Sequence, residues 1–198
     1  MACTNDEVRA ALQLEYEIFV EAAYIGPNSE SLVLEYAPFN AVSDFVVAFE
    51  EDQVVGVLRR IKYHADLGIK TLRDFDIRAE WRGMVEEACR NSPALVEEIG
   101  TLALKKERRG IGGRAFTMSI YRVAWQESVR RGVKYWLFSV DERLFKTLVG
   151  LFGAFAIGDP MHYMGSVTVP ALLEIQRIRE RYERGEDALL AGYFLTGL

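Results

Sequence analysis

The stretch VEEIGTLALKKERRGIGGRAF, residues 96–116, decides the fold class because it joins three local signals in one order. Residues 96–104 predict a strand, residues 105–113 form a basic, glycine-rich loop, and residues 114–131 repeat apolar side chains at helical spacing. Glycines let main-chain N–H groups come close to a ligand, and a helix start adds positive potential. The order of strand, loop and helix therefore predicts a cradle for a pyrophosphate group.

The loop is basic although the chain is acidic. Positions 105–114 hold five basic residues and one acid, whereas the whole chain carries a formal net charge of -5 with a pI of about 5.2. This contrast indicates that an anionic group is met locally, although a solvated basic turn before an ordinary helix explains the loop alone. The overall charge argues against nucleic acid or an anionic membrane as a partner, since both need an extended positive field.

Length and composition fit one domain, residues 1–198. The chain has a mass of 22.5 kDa, and half of its residues are apolar, which is enough to fill a core. Two cysteines far apart, Cys3 and Cys89, indicate neither a disulfide framework nor a zinc site, so we expect a reducing, cytoplasmic location. No apolar run is long enough for a membrane span, and we expect no leader sequence.

Hydrophobic periodicity predicts an α+β fold. Predicted helices cover residues 5–24, 84–90, 114–131, 142–150 and 171–184, and predicted strands cover residues 45–49, 53–63, 96–104, 133–140, 155–157 and 163–169. We expect Thr4 or Asn5 to cap the first helix, Asp141 to cap the fourth, and residues 26–43 to form a loop with one short helical turn. The third helix is expected to point four apolar side chains inward: Phe116, Ile120, Val123 and Ala124.

Several motifs resemble known acyltransferases. The glycine loop resembles the acyl-donor motif Q/R-x-x-G-x-G/A of the Gcn5-related N-acetyltransferases (GNAT), with Glu107 in its first position. Three further segments resemble acyl-homoserine lactone synthases and their relatives, the long-chain N-acyl amino acid synthases. These segments are YEIF (16–19) for R-Y-x-V-F, GVLR (56–59) for G-x-x-R, and EIGTLAL (98–104) for E-x-S-R-x-A-V.

Two departures and the tail favour the amino acid synthases. Glu15 and Thr101 stand where the lactone synthases carry arginine, and MGSVTVP (164–170) looks like the last strand of the amino acid synthases. The resemblance implies a GNAT fold, with a mixed central sheet flanked by helices and splayed between the strands that the family numbers 4 and 5, here residues 96–104 and 133–140.

The resemblance also implies an activity. It implies an N-acyltransferase that moves a long-chain fatty acyl group from acyl carrier protein phosphopantetheine to an amino acid, with tyrosine as the expected acceptor. Acyl-coenzyme A is the alternative donor, and no permanently bound cofactor is expected. The alternatives are a coenzyme A-dependent enzyme that acylates a small amine, a lactone synthase, and a non-catalytic acyl-thioester-binding protein.

Amide formation needs a proton acceptor for the amine and donors for the oxyanion. Glu98 matches the family's strand glutamate and is the first candidate for the base, with Glu97 as the second; strict alternation would place Glu98 on the face of Leu102 and Leu104, unless a bulge changes the phase. Main-chain N–H groups over 102–104 and the loop are expected to bind the acyl donor, through Leu102, Ala103, Leu104, Arg109, Gly110, Ile111, Gly112 and Gly113.

The remaining expected contacts follow from charge and apolar character. An acidic carrier protein would dock on Lys105, Lys106, Arg108 and Arg114. Arg59 would pair with the acceptor's carboxylate, although a surface arginine in a hairpin is equally consistent with its position. Tyr16, Phe19 and Tyr24 would wall the amino acid, and an acyl chain would lie among Trp136, Phe138, Leu148, Leu151, Phe152 and Phe155; ordinary core packing is the alternative for all of these apolar residues. The two histidines, His64 and His162, have no nucleophile partner, and no ligand cluster predicts a metal.

Overall fold

The computed structural model describes residues 1–2, 4–109, 113–186 and 193, and for residues 113–115 and 182 it describes the main chain alone. Within these residues the strands form one seven-stranded sheet in the order β1-β2-β3-β4-β7-β5, and β6 pairs with β7. The strands are β1 (Ser43–Glu50), β2 (Gln53–Lys62), β3 (Val96–Leu104), β4 (Tyr135–Asp141), β5 (Phe155–Ala156), β6 (Met161–Tyr163) and β7 (Ser166–Glu174). The helices are α1 (Asn5–Glu21), α2 (Lys70–Asp74), α3 (Ala79–Asn91), α4 (Gly113–Arg131), α5 (Glu142–Phe152) and α6 (Ile175–Glu183), with short 3-10 turns at Ala37–Val42, Pro93–Leu95 and Lys106–Arg108.

The sheet is mixed, as predicted. Strands β3 and β4 run parallel, and every other pairing in the sheet is antiparallel. Helix α1 packs Ala11 and Leu14 onto one face, against Val57 and Ala103, and helix α4 packs on the opposite face. No helix in the described part of the chain is both long and apolar enough to cross a membrane.

Helix α1 begins where its capping residues predict. The Thr4 hydroxyl accepts a hydrogen bond from the Glu7 N–H (3.1 Å), and the Glu7 carboxylate accepts one from the Thr4 N–H (2.9 Å). This reciprocal capping box satisfies two N–H groups that the helix itself leaves unpaired. Thr4, rather than Asn5, is therefore the cap.

The inward stripe of α4 differs from the prediction at one position. Val123 is 40% exposed, because the buried stripe runs along the neighbouring side of the helix. The buried positions of this stripe are Ile120, Tyr121, Ala124, Trp125 and Ser128. These positions keep the three- and four-residue spacing of an amphipathic helix, and residue 123 lies outside their arc.

The predicted start of the last helix and the predicted end of α5 are wrong. Strand β7 continues through Pro170 to Glu174, so the last helix starts at Ile175 instead of residue 171. An apolar run, buried on both sides between β4 and β5, keeps residues 171–173 in the sheet. Helix α5 runs past Gly150 and ends at Gly153, whose φ of 73° is the left-handed conformation that glycine adopts without strain.

Helices α2 and α3 were not fully predicted. Helix α2 was not predicted, and α3 begins at Ala79 instead of residue 84. The residue before α3, Arg78, makes no side-chain capping bond, so the sequence carries no start signal there. The α2 segment nevertheless packs its buried residues Lys70 and Thr71 beside β3.

Two irregularities of β3 position the site. Its pairing with β4 stops at Ile99 opposite Phe138, so the two strands diverge beyond that point. Gly100 is an extra residue in the β2–β3 ladder, since Arg59 lies opposite Thr101 while Arg60 lies opposite Ile99. A Cβ at Gly100 would lie 2.9 Å from the Tyr36 ring, which requires glycine at this bulge.

Candidate active site

A cleft of about 120 Å³ opens where β3 and β4 diverge. Main chain and side chains from the end of β3 form one wall, and residues from the end of β4 and from β7 form the other. Its aromatic lining is Phe19, Tyr24, Tyr36 and Tyr163. Its polar lining is Thr101, Ser139, Asp141, Ser166 and Thr168, and Val140, Leu144 and Met164 complete the aliphatic part.

Main-chain groups of β3 point into this cleft at alternate residues. The Lys105 N–H donates to the Val55 carbonyl on β2 (2.9 Å). Ala103, two residues earlier, lies opposite Val57, so its N–H also faces β2. Because an antiparallel strand directs alternate residues to opposite neighbours, Leu102 and Leu104 direct their N–H groups away from β2, towards the gap beside β4. Of the three predicted main-chain donors, Ala103 is therefore turned away from the cleft.

Glu98 is buried close to the cleft: it lies two residues before Gly100, which lines the cleft, and its charge acts on Tyr36, which also lines it. Glu98 is 2% exposed, and its carboxylate accepts hydrogen bonds from the Thr71 N–H (3.1 Å) and the Thr71 hydroxyl (3.0 Å). Burial raises the pKa of Glu98 to about 7; the Thr71 hydrogen bonds and the Lys70 charge lower it only in part. The carboxyl group can therefore gain or lose a proton near neutral pH.

The bulge at Gly100 places Glu98 on the opposite face from Leu102 and Leu104. Ile99, Leu102 and Leu104 all pack in the core below α4, whereas Glu98 faces α2. Strict alternation, which predicted a shared face for Glu98, Leu102 and Leu104, is wrong because the extra residue inverts the phase.

Glu97 lies on the α4 side and is fully engaged there. Its carboxylate accepts hydrogen bonds from the Arg60 guanidinium (2.6 and 2.7 Å) and the Ser128 hydroxyl (2.9 Å), and Arg131 lies at 3.4 Å. Arg60 is 0% exposed and Glu97 4%. This buried ion pair joins β2, β3 and α4, and it does not reach the cleft.

A polar network that the sequence did not predict flanks Glu98. The Lys70 ammonium, 1% exposed, contacts Asp74 and the Tyr163 hydroxyl, and it lies 4.8 Å from the centres of both the Tyr36 and Tyr163 rings. The Tyr163 hydroxyl donates to Asp74 (2.8 Å). Burial alone would raise the pKa of Asp74, but the hydrogen bonds from Lys70 and Tyr163, with one from Arg73, lower it overall.

Two tyrosines connect this network with the cleft. Both Tyr36 and Tyr163 line the cleft, and the Tyr36 hydroxyl donates to the Gly100 carbonyl (2.7 Å). Burial and the neighbouring charge of Glu98 raise the pKa of Tyr36 well above its ordinary value. Burial also raises the pKa of Tyr163, so both phenols stay neutral.

Arg59 does not lie free beside the cleft. It is 1% exposed, and its guanidinium donates to both carboxylate oxygens of Glu15 (2.5 and 2.9 Å), to Asn40 (2.8 Å) and to Ser43 (3.1 Å). Thr101 also donates to Glu15. With four of its N–H groups bonded, Arg59 has little capacity left for a substrate carboxylate. The predicted substrate-binding role of Arg59 is therefore not supported.

The predicted aromatic wall is formed only in part. Phe19 and Tyr24 line the cleft and pack edge to face, with ring centroids 5.5 Å apart. The Tyr16 hydroxyl instead holds the chain turn at Asn28, through its N–H (3.0 Å) and its carbonyl. Tyr36 and Tyr163 complete the wall. Tyr36 lies in a loop and Tyr163 lies next to a turn, so no hydrophobic periodicity in the sequence marked either residue.

The predicted acyl-chain residues lie in the core. Trp136, Phe138, Leu148 and Phe152 are each 1% exposed within one apolar cluster, and Leu151 packs against it. Phe155 belongs to a different cluster, where it contacts Trp81. The cleft contacts none of these side chains in its lining, so ordinary core packing, the alternative stated above, accounts for them.

The basic segment after β3 is partly neutralised. Arg108 forms an ion pair with Glu50, and Arg109 pairs with Glu21 (2.8 Å) and donates to the Leu104 carbonyl (2.9 Å). Lys105 reaches Gln53 (3.3 Å), and Lys106 is exposed. Gly110, Ile111 and Gly112 lie outside the described residues, as does the Arg114 side chain, and Gly113 is described only as the first residue of α4.

The described part of the chain contains no group of three or more His, Cys, Asp or Glu side chains able to hold a metal ion. Two carboxyl groups belong to this region: Glu98, whose raised pKa is described above, and Asp141, which lines the cleft.

Comparison with known proteins places this geometry in a fold. No protein-family profile and no curated protein sequence matches the chain. Among solved structures, FeeM, an N-acyl amino acid synthase from uncultured soil microbes, superposes with a TM-score of 0.67 at 15% identity, covering 90% of this chain and 91% of that chain. BjaI, a coenzyme A-dependent acyl-homoserine lactone synthase, gives a TM-score of 0.63 at 18% identity, with 91% and 82% covered.

An acyl-CoA N-acyltransferase from Pseudomonas aeruginosa gives a TM-score of 0.58 at 16% identity, covering 86% of this chain and 92% of that chain. At these identities the likeness shows the fold. The chain has the GNAT fold that the resemblance implied, and its structural neighbours include an N-acyl amino acid synthase and a lactone synthase.

Proposed function

We propose that the chain is an N-acyltransferase that moves an acyl group from a phosphopantetheine thioester to a primary amine in the cleft between β3 and β4. The observation that carries this proposal is the divergence of these strands after Ile99 and Phe138, which leaves main-chain donors facing a cleft close to a carboxyl group with a pKa of about 7. Such a gap suits the pantetheine arm, since its amide groups can pair with the strand edge.

The reaction is a direct transfer. The ammonium of the acceptor loses one proton to the base, and the neutral nitrogen attacks the thioester carbonyl to form a C–N bond. The C–S bond then breaks, and the second proton lost by the nitrogen passes to the departing thiolate, which leaves as the thiol. The Leu102 N–H faces the cleft and donates to the oxyanion as it develops, whereas the Leu104 N–H, about 7 Å further along the strand, pairs with an amide of the pantetheine arm. Glu98 accepts the acceptor's proton through hydroxyl groups or water at Tyr36 and Tyr163, because its carboxyl is buried and does not line the cleft.

The donor remains a choice between carrier protein and coenzyme A. An acidic carrier protein would contact Lys105 and Lys106, which carry no carboxylate partner in the described structure. Arg108 and Arg109 are already paired with acids, which makes this surface less positive than the sequence suggests. We expect the double substitution Lys105→Glu with Lys106→Glu to raise the KM for acyl carrier protein and to leave kcat for a short pantetheine thioester unchanged.

The acyl chain expected from the resemblance is long, and the cleft is small. Its volume of about 120 Å³ is below the 300–1,000 Å³ that is usual for small-molecule sites. A long chain would need core side chains such as Phe152 to move, whereas a short chain would not. A series of acetyl, octanoyl and palmitoyl thioesters measures this directly, and turnover with palmitoyl requires that the core opens.

The test of the proposed function uses two neighbouring residues of β7. Ser166 lines the cleft, and Val167, the next residue, is 49% exposed outside it. We expect Ser166→Trp to abolish release of free thiol from an acyl thioester in the presence of amines, because the indole fills the cleft, and Val167→Trp to keep wild-type activity. Thermal unfolding of both variants checks that each is folded. Equal activity in the two folded variants would show that the chemistry takes place elsewhere.

A further inference from the structure

In the described part of the chain, one charged side chain lines the cleft, and it is an acid. Among the described residues that line the cleft, Asp141 carries a charge and no lysine or arginine is present. The arginine that the resemblance assigned to an acceptor carboxylate, Arg59, is buried and paired with Glu15. The chain carries Glu15 and Thr101 at two positions where the lactone synthases carry arginine. Lys70, behind the Tyr36 and Tyr163 rings, is 1% exposed and paired with Asp74. The lining of the described site therefore offers a carboxylate-bearing acceptor no unpaired counter-ion.

Asp141 is placed to receive a cation. Its Oδ1 caps helix α5 by accepting from the N–H groups of Arg143 and Leu144 (3.0 Å each), and no described group donates to Oδ2. The pKa of Tyr24 is raised, first by burial and then by the charge of Asp141, so this charge reaches the aromatic wall. A second carboxyl, Glu98, is buried close to the cleft.

The aromatic side chains of the cleft also suit a positively charged ligand. Phe19 and Tyr24 pack edge to face, and Tyr36 and Tyr163 face the cleft from the other side. Aromatic faces attract an ammonium group electrostatically and also cover an apolar or aromatic body. An alkylammonium is thus accommodated by both the charge and the surface of the cleft.

We propose that the acyl acceptor is a carboxylate-free primary amine with an aromatic body, an arylalkylamine of the tyramine type, whose ammonium group is held at Asp141. This inference rests on the proposed function and specifies its acceptor. Deprotonation of that ammonium supplies the nucleophile, and the amine nitrogen then replaces the thioester sulfur on the acyl carbon.

The charges of two arginines, Arg109 and Arg143, act on Tyr24 and offset part of the rise in its pKa. Arg109 is paired with Glu21, and Arg143 is exposed. An ion pair at an exposed site contributes little to binding or stability because solvent screens it. These cations suit the anionic part of the donor, and they do not replace a buried counter-ion for an amino acid.

The test compares three acceptors that differ at one position: tyramine, tyrosine methyl ester and tyrosine. Turnover is measured with one acyl thioester, and binding to the donor-free protein is measured by saturation-transfer NMR. We expect kcat/KM for tyramine to exceed that for tyrosine by about tenfold or more, since a buried unpaired carboxylate is strongly disfavoured. The methyl ester, which has no negative charge, should fall closer to tyramine.

Asp141→Asn is the matched variant, because asparagine caps a helix as well as aspartate does and only the charge is lost. Glu142→Gln, at the neighbouring exposed residue, is the control. We expect Asp141→Asn to raise the KM for tyramine by about tenfold with little change for tyrosine, and Glu142→Gln to change neither. Arg143→Gln should leave the preference for tyramine unchanged.

The outcomes separate the inference from the function. Acylation of tyrosine at least as fast as tyramine overturns the inference while the acyltransferase function stands. Binding of tyramine that depends on Asp141, without turnover of any acceptor, supports the ligand class and refutes the function. Absence of tyramine binding, or equal binding by Asp141→Asn, overturns the inference.

Discussion

Replacing Glu98 by glutamine should change how the stability of the protein depends on pH. Burial raises the pKa of this carboxyl from 4.5 in the unfolded chain to about 7 in the fold. The folded state therefore holds its proton more tightly, and the resulting stability is fully present below pH 4.5 and is lost as the pH rises through 7. At about 1.4 kcal/mol for each pKa unit, the free energy of unfolding should fall by about 3 kcal/mol across this window.

Urea unfolding at pH 5, 6, 7 and 8 measures this change. Glu98→Gln can keep both contacts with Thr71, with its carbonyl accepting from the Thr71 N–H and its amide donating to the Thr71 hydroxyl. Between pH 5 and pH 8, we expect the free energy of unfolding to fall by about 2–3 kcal/mol less in this variant than in the wild type. The variant is therefore expected to be more stable than the wild type at pH 8. The exposed Glu87→Gln is the control. A wild-type pH slope in Glu98→Gln would refute the assigned protonation behaviour.

Two further predictions concern stability and are checked by chemical denaturation. Arg60→Leu should destabilise the fold by about 3–5 kcal/mol because it leaves the buried Glu97 without its main partner. Adding Glu97→Gln should recover part of this loss. If the effects of the two substitutions simply add, the two side chains are not coupled. Gly158→Ala should lower the free energy of unfolding by about 1–3 kcal/mol, since its Cβ would lie 2.2 Å from the Asp76 carbonyl. Gly83→Ala, on an open helix surface, should raise it by about 0.5–1 kcal/mol. Equal effects of the two substitutions would contradict the packing argument.

Elements with a local physical signal were predictable from the sequence. The strand Val96–Leu104 matches its predicted range, since it is a run of β-favouring residues between a proline turn and a basic loop. The capping residues Thr4 and Asp141 mark true helix starts, because a side-chain hydrogen bond within three residues is visible in the sequence. The pattern of elements predicted an α+β fold, and the resemblance of the motifs to known acyltransferases implied the GNAT fold.

The candidate site was less predictable because it depends on contacts between distant residues. Arg59 matches a substrate-binding motif, yet Glu15, 44 residues away, is its partner in the fold. The bulge at Gly100 inverts the side-chain phase of β3, and its position follows from the packing of Tyr36 against the strand. The sequence identified Asp141 only as a helix cap. Its second carboxylate oxygen became a candidate ligand-binding atom only when the structure showed that the strand ends form a cleft.

The claim on which the account depends is that the pantetheine arm lies between β3 and β4. A crystal structure of the protein with coenzyme A tests it most directly. We expect the arm in the gap beyond Ile99 and Phe138, with an amide of the arm bonded to the main chain at Leu104 and the sulfur directed towards the cleft near Glu98. An ordered arm on any other surface, with this gap unoccupied, would contradict it.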